Sequence, residues 1–187
     1  MRMVNGLLTR PPRSLPPPGL IRSAERPALR IEPDAWEKLS LYVRLTEGEV
    51  GGLGRVVRDG PDFVLTECYL VSQRATDVDT ELDPEGLSQF LLGDLTAGND
   101  PSDLRVWWHS HAREACFWST DDERTIDGWS GDWLVALVAN LAGKHLARFD
   151  QYEPTRQTVG WLDVLPPGPP PPLDGPAADA ARAELAR

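Results

Sequence analysis

A chain of 187 residues is long enough to bury a core without disulfides, and its 2 cysteines, Cys68 and Cys116, are too widely separated for a zinc ribbon or a disulfide framework. A formal net charge of −10, from 29 acidic against 19 basic side chains, argues against general attraction to nucleic acid or an anionic membrane and favours a partner with a basic face. No apolar run reaches the length of a membrane span, and Gly6-Leu7-Leu8 is too short for a signal-peptide core, so the expected compartment is the cytoplasm.

Pro11-Pro12 and Pro16-Pro17-Pro18-Gly19 mark residues 1–30 as a Pro-rich extension. Pro33-Asp34-Ala35 opens a first helix reaching Leu45, with Trp36, Leu39, Leu41, Tyr42, Val43 and Leu45 as its apolar positions. Strands over 53–57 and 63–71 follow, joined by Arg58-Asp59-Gly60-Pro61, whose Asp-Gly step is a hairpin signal. Asp83-Pro84-Glu85 starts a second helix, with Leu87, Phe90, Leu91, Leu92 and Leu95 at helical spacing. A mostly apolar strand over 104–108 runs into His109-Ser110-His111, and a loop over 112–118 leads to Ser119-Thr120-Asp121-Asp122, a helix start with Ser119 as N-cap. Strands over 133–138, 146–152 and 158–164 complete a mixed sheet, so helices and strands in this order predict an α/β sandwich. Residues 31–164 are the expected domain, and 165–187 a Pro-rich linker with an Ala-rich tail whose helix, alone, would be marginal in water.

The chemistry concentrates between His109 and Asp122. Side chains alternate along a strand, so His109 and His111 point the same way and present two imidazoles to one ion, a donor type well suited to zinc. If the loop folds back, the first turn of the following helix brings the Asp122 carboxylate in as a third ligand. Three protein ligands leave a position for water, the pattern of a catalytic rather than a structural zinc. Upstream, Glu49 is the better candidate for the base that such a water needs, with Glu47 as its rival. The Ser119 hydroxyl is placed to donate to an oxyanion.

His-Ser-His, seven residues, Ser, two residues, Asp, with Glu49-Val50-Gly51-Gly52-Leu53-Gly54 upstream, resembles the JAMM (MPN-plus) metalloprotease family over about residues 31–164. The resemblance implies the deaminase-like MPN architecture, Zn2+ held by His109, His111 and Asp122, Glu49 as general acid/base and Ser119 as oxyanion donor. It also implies cleavage of an isopeptide or peptide bond after the C-terminus of a ubiquitin-like protein. Ala112 departs from the pattern, since many members carry proline directly after the second histidine.

Plainer readings stand beside this one. His-x-His alone fits ordinary hydrogen-bonded strand residues, and Ser119 with Asp121 and Asp122 fits an N-cap with a favourable acidic first turn. His145 reads as a surface residue and Cys116 as a small packed side chain near the loop. The glycines at 51, 52 and 54 lack the Lys-Ser/Thr ending of a phosphate loop and point to close backbone packing. Alternative functions are sulfur-carrier precursor processing, small-molecule amide hydrolysis and a non-catalytic MPN-like binding module.

Overall fold

In the computed structural model, which describes residues 26–71, 73–76 and 79–186, the strands are β1 (Ala28–Ile31), β2 (Gly51–Asp59), β3 (Asp62–Leu70), β4 (Gln73–Thr76), β5 (Asp79–Leu82), β6 (Leu104–Ser110), β7 (Trp133–Ala139), β8 (His145–Gln151) and β9 (Gln157–Leu165). The helices are α1 (Pro33–Leu45), α2 (Pro84–Thr96), α3 (Thr120–Asp127) and α4 (Pro176–Leu185), with a 3-10 turn at Pro101–Asp103. The Pro-rich runs before residue 19 and the Gly6-Leu7-Leu8 patch lie outside the described residues.

Local sequence accounts for the element ends. Proline occupies the start of α1, where its missing N–H is not needed, and the Thr46 hydroxyl donates to the Tyr42 carbonyl where the helix stops (2.8 Å). The Asp83 side chain caps α2 by accepting from the Gly86 amide (3.0 Å). Between β2 and β3 the chain reverses at Gly60, which takes a positive φ of 63°, and Asp59 pairs directly with Asp62.

The seven strands of the main sheet follow the order β1-β3-β2-β6-β7-β8-β9 and close into a barrel. This overturns the α/β sandwich of deaminase-like MPN architecture expected from the sequence. The reason is β1, a strand that precedes the first helix and that the sequence reading did not contain. It pairs in parallel with β3 through Leu29↔Phe63 and in parallel with β9 through Leu29↔Val164, joining what would otherwise be two free edges. The pair β6–β7 is also parallel, and the remaining ladders of the barrel are antiparallel.

The central strands are apolar on both sides, and alternation assigns their residues to two cores. Val106, Trp108, Val135 and Leu137 join Leu39 and Tyr42 of α1 and Leu65 of β3. Trp107, Leu134 and Ala136 face the other way, toward Leu53 and Ile126 of α3, with Leu87 and Leu91 of α2 packed on that side. Stripping Leu39, Leu65, Leu134 or Leu137, all fully buried, to alanine costs about 2–5 kcal/mol. The Ala-rich tail forms α4 against α1, with Ala178 and Ala181 buried and a bond from the Tyr42 hydroxyl to Glu184. The glycines of β2 are required by proximity. A Cβ on Gly52 would stand 2.0 Å from the Tyr69 carbonyl oxygen, and one on Gly51 would stand 2.6 Å from that of Trp108.

Candidate metal centre

Strand β6 ends at Ser110, and the ladder with β7 carries one residue further: Ser110 is paired with Ala139, and the His111 amide donates to the Ala139 carbonyl (2.9 Å). His109 and His111 therefore emerge on one face of a strand end that is fixed on both sides. The turn that follows depends on Ala112, whose φ of 41° lies in the left-handed region. Proline, locked near −65°, cannot adopt that conformation, so the alanine here and the path of the loop belong together. The loop is then tied down by Leu141 N–H to the Ala112 carbonyl (2.8 Å), Asn140 Nδ2 to the Glu114 carbonyl (2.7 Å) and Cys116 Sγ to the Lys144 carbonyl (3.3 Å).

It returns the chain to Ser119, where a capping box forms. The Ser119 hydroxyl oxygen accepts from the Asp122 amide (3.0 Å), and Asp122 Oδ2 accepts from the Ser119 amide (2.7 Å). The same carboxylate faces the histidines. Asp122 Oδ1 lies 3.0 Å from His109 Nε2, Asp122 Oδ2 lies 3.5 Å from His111 Nε2, and the two Nε2 atoms are 3.1 Å apart. All three residues are buried, and one ligand atom from each lies within 4.8 Å of the others. The N-cap reading of this turn is thus met by the capping box, and the same geometry leaves the Asp122 carboxylate beside the two histidines.

Protonation follows from the hydrogen bonds. A carbonyl can only accept, so the 3.0 Å contact to the Ala115 oxygen places a proton on His111 Nδ1 and turns Nε2 toward Asp122 and His109. Hydrogen bonding to Asp122 raises the His111 pKa above its ordinary value against the opposing effect of burial, and the Ala115 carbonyl and the charges of Asp122 and Glu49 add to the rise. Burial by itself would push the Asp122 carboxyl up, but its bonds to the two histidines and to the Ser119 amide outweigh that and hold it far below the usual carboxylate range. His109 stacks on Trp107 with centroids 4.5 Å apart, and its buried Nδ1 has no protein hydrogen-bond partner among the described residues.

These observations test the donor set against a divalent cation. A carboxylate and two imidazoles bring three ligand atoms within 4.8 Å of one another in a buried pocket of the fold. The set matches the nitrogen and oxygen donors that zinc accepts, and the buried His-His-Asp triad can hold a metal ion.

Glu49 reaches the site through the β2–β6 ladder. The ladder ends with Gly51 paired to His109; just beyond it the Ser110 amide donates to the Val50 carbonyl (2.7 Å) and the Val50 amide donates to Ser110 Oγ (3.1 Å), and the charge of the next residue, Glu49, is felt by His111. Glu49 is half-buried, whereas Glu47 is exposed and further from the ladder. Ser110 went unnoticed in the sequence as more than a spacer, yet its buried hydroxyl anchors the strand end that carries Glu49. Its place between two histidines was the available signal.

The other candidates fall elsewhere. His145 packs edge-on against Trp36 (5.4 Å) and lines a cleft of about 510 Å³ with Ser40 and Pro166. A second cleft of about 560 Å³ is lined by Leu53, Leu91 and Trp129. Neither includes a triad residue. Cys116 is not part of the triad: its Sγ donates to the Lys144 carbonyl (3.3 Å), and burial pushes the thiol up to about 11. None of the described helices is long and apolar enough to cross a membrane.

No family model and no curated protein matches the chain. Among solved structures, protein DSY2949 from Desulfitobacterium hafniense, determined in solution, is similar with a TM-score of 0.54 and 16% identity, over 76% of this chain and 94% of that one. The likeness is one of fold alone.

Proposed function

We propose that this protein is a zinc-dependent amide hydrolase that cleaves the isopeptide or peptide bond after the C-terminal tail of a ubiquitin-like protein. The observation that carries the reading is the convergence of Asp122 with His109 and His111, with the charge of Glu49 acting on His111. The motif's resemblance to the JAMM metalloproteases supplies the substrate class.

When bound, zinc supplies Lewis acidity, bringing the pKa of water toward neutrality and polarising an amide carbonyl. The protein's residues do the rest. Glu49 takes the proton of the attacking water and delivers it to the departing amine, so that lysine or a peptide N-terminus leaves neutral. The Ser119 oxygen already accepts from the Asp122 amide, which leaves its own O–H free to donate to the developing oxyanion. His111 keeps its Nδ1 proton on the Ala115 carbonyl and holds the ring orientation throughout. Val50, pinned on both sides of Ser110, keeps Glu49 in place.

The test is to incubate zinc-loaded protein with a panel of ubiquitin-like fusions, isopeptide conjugates and small acyl amides. Cleavage directly after the modifier's last residue, lost on chelation and restored by zinc, is the expected outcome. Activity confined to small acyl amides would replace the substrate assignment, and no hydrolysis of any amide by fully loaded protein would overturn the reading.

A further inference from the structure

Arg148 is a charged residue in a place where charge is costly. It sits in the middle of β8, opposite Ala136, and is only 7% exposed. Its Nε and Nη2 donate to the two carboxylate oxygens of the fully buried Asp150 (2.6 and 3.0 Å), and Asp150 also accepts from the Thr158 hydroxyl (2.6 Å). The remaining arm of the guanidinium, Nη1, donates to Glu123 Oε1 (2.6 Å), and its carbon lies 5.5 Å from the centre of the Trp118 ring.

The two outer contacts have a meaning in sequence. Trp118 is the residue before Ser119, and Glu123 is the residue after Asp122. One rigid guanidinium, itself locked to the barrel by a bidentate pair, therefore grips both ends of the four-residue turn that presents the oxyanion donor and the third metal ligand. The turn needs such a grip. Helix α3 has 8 residues, too few to hold its own shape in water, and apart from Asp122 only Ile126 of it is buried. A buried ion pair is a poor source of net stability, since apolar residues of similar size would serve as well. Fixing an orientation is what the planar fork adds.

We propose that Arg148 is a positioning residue for the metal centre, acting through Glu123 and Trp118 to hold the turn over 119–122 in register with His109 and His111. This rests on the reading of Asp122 as a metal ligand.

Glu123→Ala is the decisive variant, because it cuts the brace while leaving the Arg148–Asp150 pair intact; Arg148→Lys, which keeps the charge but loses the fork, is the second. Zinc affinity by competition with a chromogenic chelator, the visible spectrum of the cobalt-substituted protein, and amide exchange of residues 119–123 without metal are the measurements. Removing an outer partner of a metal ligand weakens binding by about 10–100-fold. Glu123→Ala is expected at the lower end of that range, with an altered cobalt spectrum, faster exchange confined to the turn, and an unshifted melting temperature of the metal-free protein. Arg148→Lys should do the same more strongly, lowering kcat with little change in KM. Wild-type affinity, spectrum and exchange in Glu123→Ala would overturn the proposal. If the unaltered protein binds no zinc, the hydrolase reading fails on its own, and the exchange data still decide whether the brace exists.

Discussion

The molecule contains two buried polar clusters beside the same pair of strands, built in opposite ways. Arg55 of β2 uses each of its three nitrogens: Nη2 on both oxygens of Asp94 (2.5 Å each), Nη1 on the Asp100 carbonyl (2.8 Å) and Nε on the Tyr69 hydroxyl (3.3 Å), while Asn99 adds a bond to Asp94 (2.9 Å). Every nitrogen of the guanidinium and both oxygens of the carboxylate have a protein partner, and the cluster fastens α2 to the barrel. Where β2 begins, His109, His111 and Asp122 crowd three ligand atoms together, and the buried His109 Nδ1 is left without a protein partner among the described residues. A saturated cluster is finished as structure. An unsaturated one has room for a cation, and that contrast separates a fastening from a site.

The contrast can be broken or sharpened by experiment. The largest effect belongs to Glu49→Gln, which should lower amide hydrolysis by about 10²–10⁴-fold while leaving zinc content unchanged, because general acid–base transfer is lost and no ligand is touched. Metal analysis beside single-turnover assays checks this, and full activity in a loaded variant would remove Glu49 from the mechanism. Next is metal-linked stability. Zinc at a thousandfold excess over Kd should add about 4 kcal/mol, or about 8–16 °C in Tm for a chain of this size. Calorimetry should find that gain kept in Asp94→Ala and lost in His109→Ala; a gain retained in the latter would contradict the ligand assignment.

Asp94→Ala tests the saturated side. It leaves a buried guanidinium short of its carboxylate and should cost about 3 kcal/mol in urea unfolding, with zinc binding at the wild-type level. The smallest effect is a pH response. The bonds from Arg55 hold the Asp94 carboxyl below its ordinary value against the effect of burial, with Asn99 helping. A carboxylate depressed in the folded state stabilises fully above its unfolded pKa, about 3.9, and that contribution is lost as pH falls through the lower folded value. Wild-type protein should therefore lose stability below about pH 4 more steeply than Asp94→Ala. Parallel acid titrations of the two would remove the pair from the account.

Sequence reading located the centre because its parts obey short-range rules. Two residues of strand period put His109 and His111 on one face, and the Ser119 cap with Asp122 three positions later is a capping box in sequence as in space. The same local rules placed α1, α2 and the strands of the hairpin within a residue or two of where they lie. Glu49 was nameable as a carboxylate beside a Gly-rich strand entry, but its approach to His111 depends on β2 pairing with β6, which no local pattern encodes. Asp150 is a local neighbour of Arg148, two residues along β8, but the link to the site carried no signal, because Trp118 and Glu123 reach the guanidinium only in the folded chain.

Periodicity, capping and turn chemistry act over a few residues, so the chain's order of letters was enough to determine the histidine pair, the capped turn with its acid, and most element boundaries. Closure of the barrel was decided elsewhere. The four residues of β1 are too short to announce themselves, and they become a strand by pairing with β3 and β9, segments distant in the chain. The α4 helix, marginal alone, likewise exists by virtue of α1. Contacts between distant segments supply the energy for both, and no local pattern can encode a partner that only the folded chain brings near.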